Sequence, residues 1–109
     1  MLTVTLQALD DSVILHCKGR LVRGEEDELL CTALAQHGRH AIIDLAEVDA
    51  IDAAGIGLLI SLQAAGIYLQ LMSPTRSVLE VLKLTGLVHV FEIIENTQPE
   101  VLAGELRAS

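Results

Sequence analysis

Polar and apolar residues alternate from Thr3 to Leu9, the period that puts every second side chain on one face of a strand. Asp10-Asp-Ser12 supplies turn chemistry, and Val13-Ile-Leu-His-Cys17 is a second apolar run, so the pair predicts a β-hairpin. Gly19 to Gly24 reads as a loop carrying Arg20 and Arg23. Glu25-Glu-Asp-Glu28 then opens a helix with Leu29, Leu30, Ala33 and Leu34 on its apolar face. Carboxylates in a first turn complement the helix dipole, so this acidic run has a structural explanation. Gly38 and Arg39 close the helix, and His40-Ala-Ile-Ile-Asp-Leu45 predicts a strand covered on both faces.

The next segment is almost wholly apolar and predicts a helix over 54–65, with Asp52 as its N-cap. Ile67-Tyr-Leu-Gln-Leu-Met72 alternates again as a strand. Ser73-Pro74 offers a cap and a first-turn proline for a helix through Val78, Leu79 and Leu82. Gly86 stands where a left-handed C-cap belongs, with Leu87 folding back. Val90-Phe-Glu-Ile-Ile94 is a last strand, and Thr97-Gln-Pro-Glu100 matches a capping box for a terminal helix through Leu106. The order β-β-α-β-α-β-α-β-α predicts an α/β fold. It has a mixed, mostly parallel sheet, an N-terminal hairpin and amphipathic helical cover. There is no linker or internal repeat, and the reading is of one domain over residues 1–109.

Composition narrows the chemistry. The chain has 109 residues, 51% of them apolar, with Tyr68 and Phe91 as its aromatics, so the core is aliphatic. Fifteen acidic against seven basic side chains give a formal charge of −8. That disfavours nucleic acid and anionic membrane, both of which attract a positive surface. No apolar run reaches the roughly 18 residues of a membrane span. The alternating start is not that of a leader peptide. Cys17 and Cys31 fall in segments expected to be buried, which suits a reduced, cytoplasmic interior better than a disulfide.

Catalytic and metal-binding readings find little support. His37 and His40 flank a Gly-Arg pair without a third ligand, and His16 and His89 stand isolated. Ser61 falls inside an apolar helix, where burial and bonding to a backbone carbonyl are expected. No Gly-x-Ser-x-Gly elbow or Cys-x-x-Cys pair occurs. Gly55-Ile-Gly57 opens like a dinucleotide fingerprint, but Ile60 replaces the third glycine and no basic residue stands nearby. Both glycines are instead expected to relieve crowding between helix and sheet. The chain is accordingly read as a non-enzyme with no cofactor and no metal.

Three further stretches, taken in order, resemble the STAS domain, the module of sulfate transporters and bacterial anti-sigma factor antagonists. They are Ala41-Ile-Ile-Asp-Leu45, Ile51-Asp-Ala-Ala-Gly-Ile-Gly-Leu58 and Leu84-Thr-Gly-Leu-Val-His-Val-Phe91. Gly19-Arg-Leu-Val22 is similar to the family's loop after the hairpin. The resemblance implies a transcription-regulatory binding module whose partner is an anti-sigma factor of the serine-kinase type. Docking would use Arg20, Leu21 and Arg23 together with Asp52, Ala53, Ala54, Gly55, Gly57 and Leu58. Family members carry a phosphorylatable serine directly after the motif's aspartate; here that position is Ala53, followed by Ala54. The resemblance thus implies a docking point without its phosphate switch. Two alternatives stay open: a STAS subunit of a membrane complex such as a lipid-transport ABC system, and a nucleotide or small-ligand sensor. The helix before Gly66 is also shorter than the family usually has, by about one turn, or about 6 Å. Apolar positions on the hairpin suit a homodimer as well as an inward face.

Overall fold

The computed structural model describes residues 2–24, Leu29, Thr32 and residues 40–94. The helix expected over residues 25–37 lies outside these apart from Leu29 and Thr32, which are both helical. Cys31, His37 and the expected terminal helix lie outside them altogether. Five strands form one sheet in the order β1-β2-β3-β4-β5. They are β1 (Leu2–Ala8), β2 (Ser12–Leu21), β3 (His40–Ile51), β4 (Leu69–Met72) and β5 (Glu92–Ile94). β1 and β2 are antiparallel, and every later pairing is parallel. The mixed, mostly parallel sheet with an N-terminal hairpin is therefore present as the pattern predicts.

Helix α1 (Ala53–Ala64) follows β3, and α2 (Arg76–Leu84) follows β4. A short 3-10 turn over Leu87–His89 leads into β5. One face of the sheet is sealed by aliphatic side chains: Val13, Leu15 and Leu21 of β2, Ala41, Ile43, Leu45 and Val48 of β3, and Leu71 of β4. Leu59 and Leu62 of α1, Val78 and Leu82 of α2, and Leu29 complete that core. The other face is more polar. There His16 lies 2.7 Å from Asp44 through Nδ1 and 2.8 Å from Gln7 through Nε2. On the same face the His40 ring stacks on Tyr68, and the Tyr68 hydroxyl donates to Glu92. His16 is thus paired, not isolated, because strand pairing sets His16 beside Asp44.

Strand β3 is twice the expected length, and the reason lies in its register. His16 pairs with Asp44 but Lys18 with Glu47, and Gly19 pairs with Val48 but Arg20 with Ala50. At each step β3 holds one residue more than β2, which is a bulge. The inward positions therefore run Ala41, Ile43, Leu45, Val48, Ile51, and simple alternation fails after Leu45. Asp44 stabilises the first irregularity, accepting a hydrogen bond from Ala46 N–H at 3.0 Å. β2 extends correspondingly to Leu21, so the expected loop begins only at Val22.

Helix starts and edges also shift. Thr75 caps α2, accepting from Val78 N–H at 3.4 Å and donating to Val48 C=O at 2.7 Å. Ser73 cannot serve as the cap, because its backbone lies at φ 51 whereas Thr75 has the extended conformation a cap requires. Strand β4 begins at Leu69, and β5 begins at Glu92 because Leu87–His89 close a 3-10 turn first. Gly86 does adopt the left-handed C-cap conformation, at φ 78.

Candidate functional site

Asp52 organises the junction between β2, β3 and α1. Its Oδ1 accepts from Ala54 N–H at 3.0 Å and from Gly55 N–H at 3.1 Å, which makes it the helix cap. Its Oδ2 accepts from Arg23 N–H at 3.0 Å, and its own N–H donates to Leu21 C=O at 3.4 Å. One carboxylate thus ties the chain after β2 to the start of α1. Leu21 and Arg23 are brought next to Asp52 and Gly55 by that tie, whereas Arg20 is placed by pairing with Ala50 of β3.

The N–H donors hold the Asp52 carboxyl below its usual range, Arg23 first, then Gly55 and Ala54; the Arg23 charge adds to them and desolvation opposes them. The folded state therefore favours the ionised form. Its contribution to stability is complete above the unfolded-state pKa of an aspartate. It is lost as pH falls through the depressed folded value. Asp52→Asn keeps a capping oxygen but removes the titration. Denaturant unfolding measured over a series of acidic pH values is expected to show a shallower loss of stability in Asp52→Asn than in wild type. Identical acid slopes would mean the cap does not couple to pH.

Burial divides the residues assigned to docking. Leu21, Gly55 and Leu58 are buried in the core, and Asp52 and Ala54 are partly covered. Arg20, Arg23, Ala53 and Gly57 are exposed. The two glycines differ for a physical reason. A Cβ on Gly55 would collide with Leu21 C=O and stand 2.8 Å from Ile51 Cγ1, whereas one on Gly57 would meet nothing within 4 Å. Only Gly55 relieves crowding, so the expectation for Gly57 is corrected.

Neither glycine frames a phosphate site. The Ala54 and Gly55 N–H groups at the helix start are already taken by Asp52, and an anion bound to them would have to displace a carboxylate. Cys17 offers no nucleophile either, since burial, helped by the Asp44 charge, pushes its thiol up to about 12. Among the described residues no three His, Cys, Asp or Glu side chains converge as metal ligands. No helix among them is long and apolar enough to cross a membrane.

The outer face of α1 was only partly legible. Ala53, Gly57, Ile60, Ser61 and Ala64 recur at helical spacing and are all exposed. Ser61, expected to be buried, points outward with Ile60, which is 43% exposed. The inward positions Ile56, Leu59 and Leu62 account for the core side. Because α1 is apolar nearly all round, hydrophobicity alone could not say which side faces solvent. The spacing of the small residues Ala53, Gly57, Ser61 and Ala64 was the available signal. The result is a smooth, uncharged helical surface beginning at Ala53, with Arg23 beside its entry.

The family model described as "STAS domain" matches residues 3–100. No curated protein matches the sequence. Among solved structures, the chain is similar to an anti-sigma-factor antagonist (STAS) domain protein from Planctomyces limnophilus. The identity is 21% and the TM-score 0.75, covering 92% of this chain and 96% of that one. It is also similar to the anti-sigma factor antagonist SpoIIAA in its unphosphorylated form, at 18% identity and TM-score 0.72, covering 98% of each chain. Against the Bacillus SpoIIAA in its phosphorylated form the identity is 19% and the TM-score 0.65, with 93% and 97% covered. Likeness at these identities carries the fold.

Proposed function

Because the chain belongs to the STAS domain family, we propose that it is a non-enzymatic, cytoplasmic binding module of the anti-sigma factor antagonist kind, regulating transcription through a protein partner. The partner of this reading is an anti-sigma factor of the serine-kinase type. The observation that carries it is the open face of α1, which starts at an exposed methyl group, Ala53, held in place by the Asp52 cap.

A helix that exposes an apolar, small-residue face beside an arginine, Arg23, is suited to close approach by another polypeptide. Arg20, Arg23, Ala53, Gly57 and Ile60 form the contact surface in this reading. Leu21, Gly55 and Leu58 act from beneath by fixing the helix entry. Residues 52–57 contain no hydroxyl, so a partner kinase has no acceptor at the helix start. The module therefore remains competent to bind where phosphorylatable relatives can be switched off.

Titration of the full chain against the anti-sigma kinases of its source cell tests the proposal. At least one is expected to bind with submicromolar affinity. Absence of such binding across the set would overturn the antagonist reading.

A further inference from the structure

We propose that the outer edge of β1 is a self-association surface, at which a second copy of the chain adds its own β1 in antiparallel register. The two five-stranded sheets would then run on as one.

Backbone parity supports this first. Leu9 N–H donates to Ser12 C=O at 2.8 Å, which makes that pair a hydrogen-bonded one. In an antiparallel ladder such pairs recur at every second residue, so Gln7 with Ile14, Thr5 with His16 and Thr3 with Lys18 are hydrogen-bonded too. The N–H and C=O groups of Val4 and Leu6 consequently point away from β2. Among the described residues no strand pairs with that side of β1.

The chemistry of the edge is unusual for a surface meant to stay alone. Edge strands are commonly blunted by a lysine, a proline, a bulge or short length. β1 has seven residues and an uninterrupted register with β2, and it contains no charged residue, proline or glycine. The chain carries a formal charge of −8, so most approaches between two copies meet like charge. The uncharged edge avoids that repulsion, which favours a second copy over a basic partner.

The strand is also complementary to itself. Outward parity restricts pairing to registers that set even residues opposite even ones. A twofold axis at Thr5, the midpoint of β1, sets Val4 opposite Leu6 and Thr3 opposite Gln7, with Thr5 facing its own copy. The apolar pair lies on the face shared with Leu15 and Cys17, and the polar pairs lie on the face of His16. Leu6, 44% exposed in the isolated chain, would be covered by the copy's Val4. Cross-strand apolar and Thr–Thr pairs of this kind are stabilising.

Sedimentation of the full chain over a micromolar to submillimolar dilution series tests the proposal, and reversible dimerisation is expected. Leu6→Pro removes an outward N–H and should weaken the dimer at least tenfold with the melting temperature of the monomer little changed. Leu6→Lys is the second variant, with the same expected loss should proline disturb the fold. In a Cys31→Ser background, Thr5→Cys should form an interchain disulfide on mild oxidation. Directly opposed residues of a non-hydrogen-bonded pair have Cα atoms roughly 4.5 Å apart, within disulfide reach. Thr3→Cys, opposite Gln7 in this register, should cross-link far more slowly. A wild-type chain that stays monomeric throughout would overturn the proposal. So would a dimer that survives both Leu6 substitutions.

Discussion

Replacing Gly55 by alanine is expected to lower the melting temperature by about 8 °C or more, while Gly57→Ala raises it by about 4 °C. The substitutions are chemically identical and two residues apart on α1, yet opposite effects are expected. At Gly57 the added methyl enters open space, so the helix gains the roughly 1 kcal/mol by which alanine exceeds glycine. At Gly55 the methyl meets the Leu21 carbonyl and Ile51 Cγ1. The carbonyl has little room to retreat, because it belongs to β2 and accepts from Asp52 N–H. Overpacking of this kind costs about 1–3 kcal/mol and occasionally more, which outweighs any gain in helix propensity. Thermal unfolding of both variants decides the point. A Gly55→Ala protein as stable as wild type would show that α1 can lift from the sheet without penalty.

The second large effect concerns binding. For the anti-sigma kinase proposed above as partner, Ala53→Asp is expected to reduce affinity by a hundredfold or so, with fold stability nearly unchanged. Ala53 is exposed at the first position of α1, where a carboxylate is favourable to the helix dipole. Charge at that point therefore leaves the fold intact. In a desolvated contact, however, an unmatched charge costs several kcal/mol, and about 1.4 kcal/mol is a factor of ten. Ala53→Ser supplies the companion experiment. It should bind as wild type does, accept phosphate from the partner kinase, and then release it, since phosphate adds about −1.5 to −2 charges. Calorimetric titration of Ala53→Asp checks the first outcome and phosphate mapping on Ala53→Ser the second. Unchanged affinity in Ala53→Asp would place the partner on a different face.

These predictions draw on features that were unequally visible in the sequence. The hairpin, the order of strands and helices, the Asp52 cap and the left-handed Gly86 are all local. Each depends on hydrogen bonds or periodicity spanning a few residues, so the relevant residue types sit close together in the chain. Strand β3 beyond Leu45 was hidden because its inward positions are counted against β2. Two extra residues in one partner break the period that a single strand would display. Thr75 displaced Ser73 as a cap for a similar reason. Its hydroxyl is fixed by the Val48 carbonyl of β3, which is remote in sequence.

The candidate site follows the same division. By itself the sequence determined that a small, uncharged helix entry follows an aspartate, and that no hydroxyl stands between residues 52 and 57. Those are matters of residue identity and hold in any fold. Only the tertiary structure decided that Asp52 also secures Arg23, that Gly55 and not Gly57 is pressed against the sheet, and that Ile60 and Ser61 share the open face with Ala53. An almost uniformly apolar helix carries no internal mark of its buried side. That choice is made by the strands and helices that pack against it.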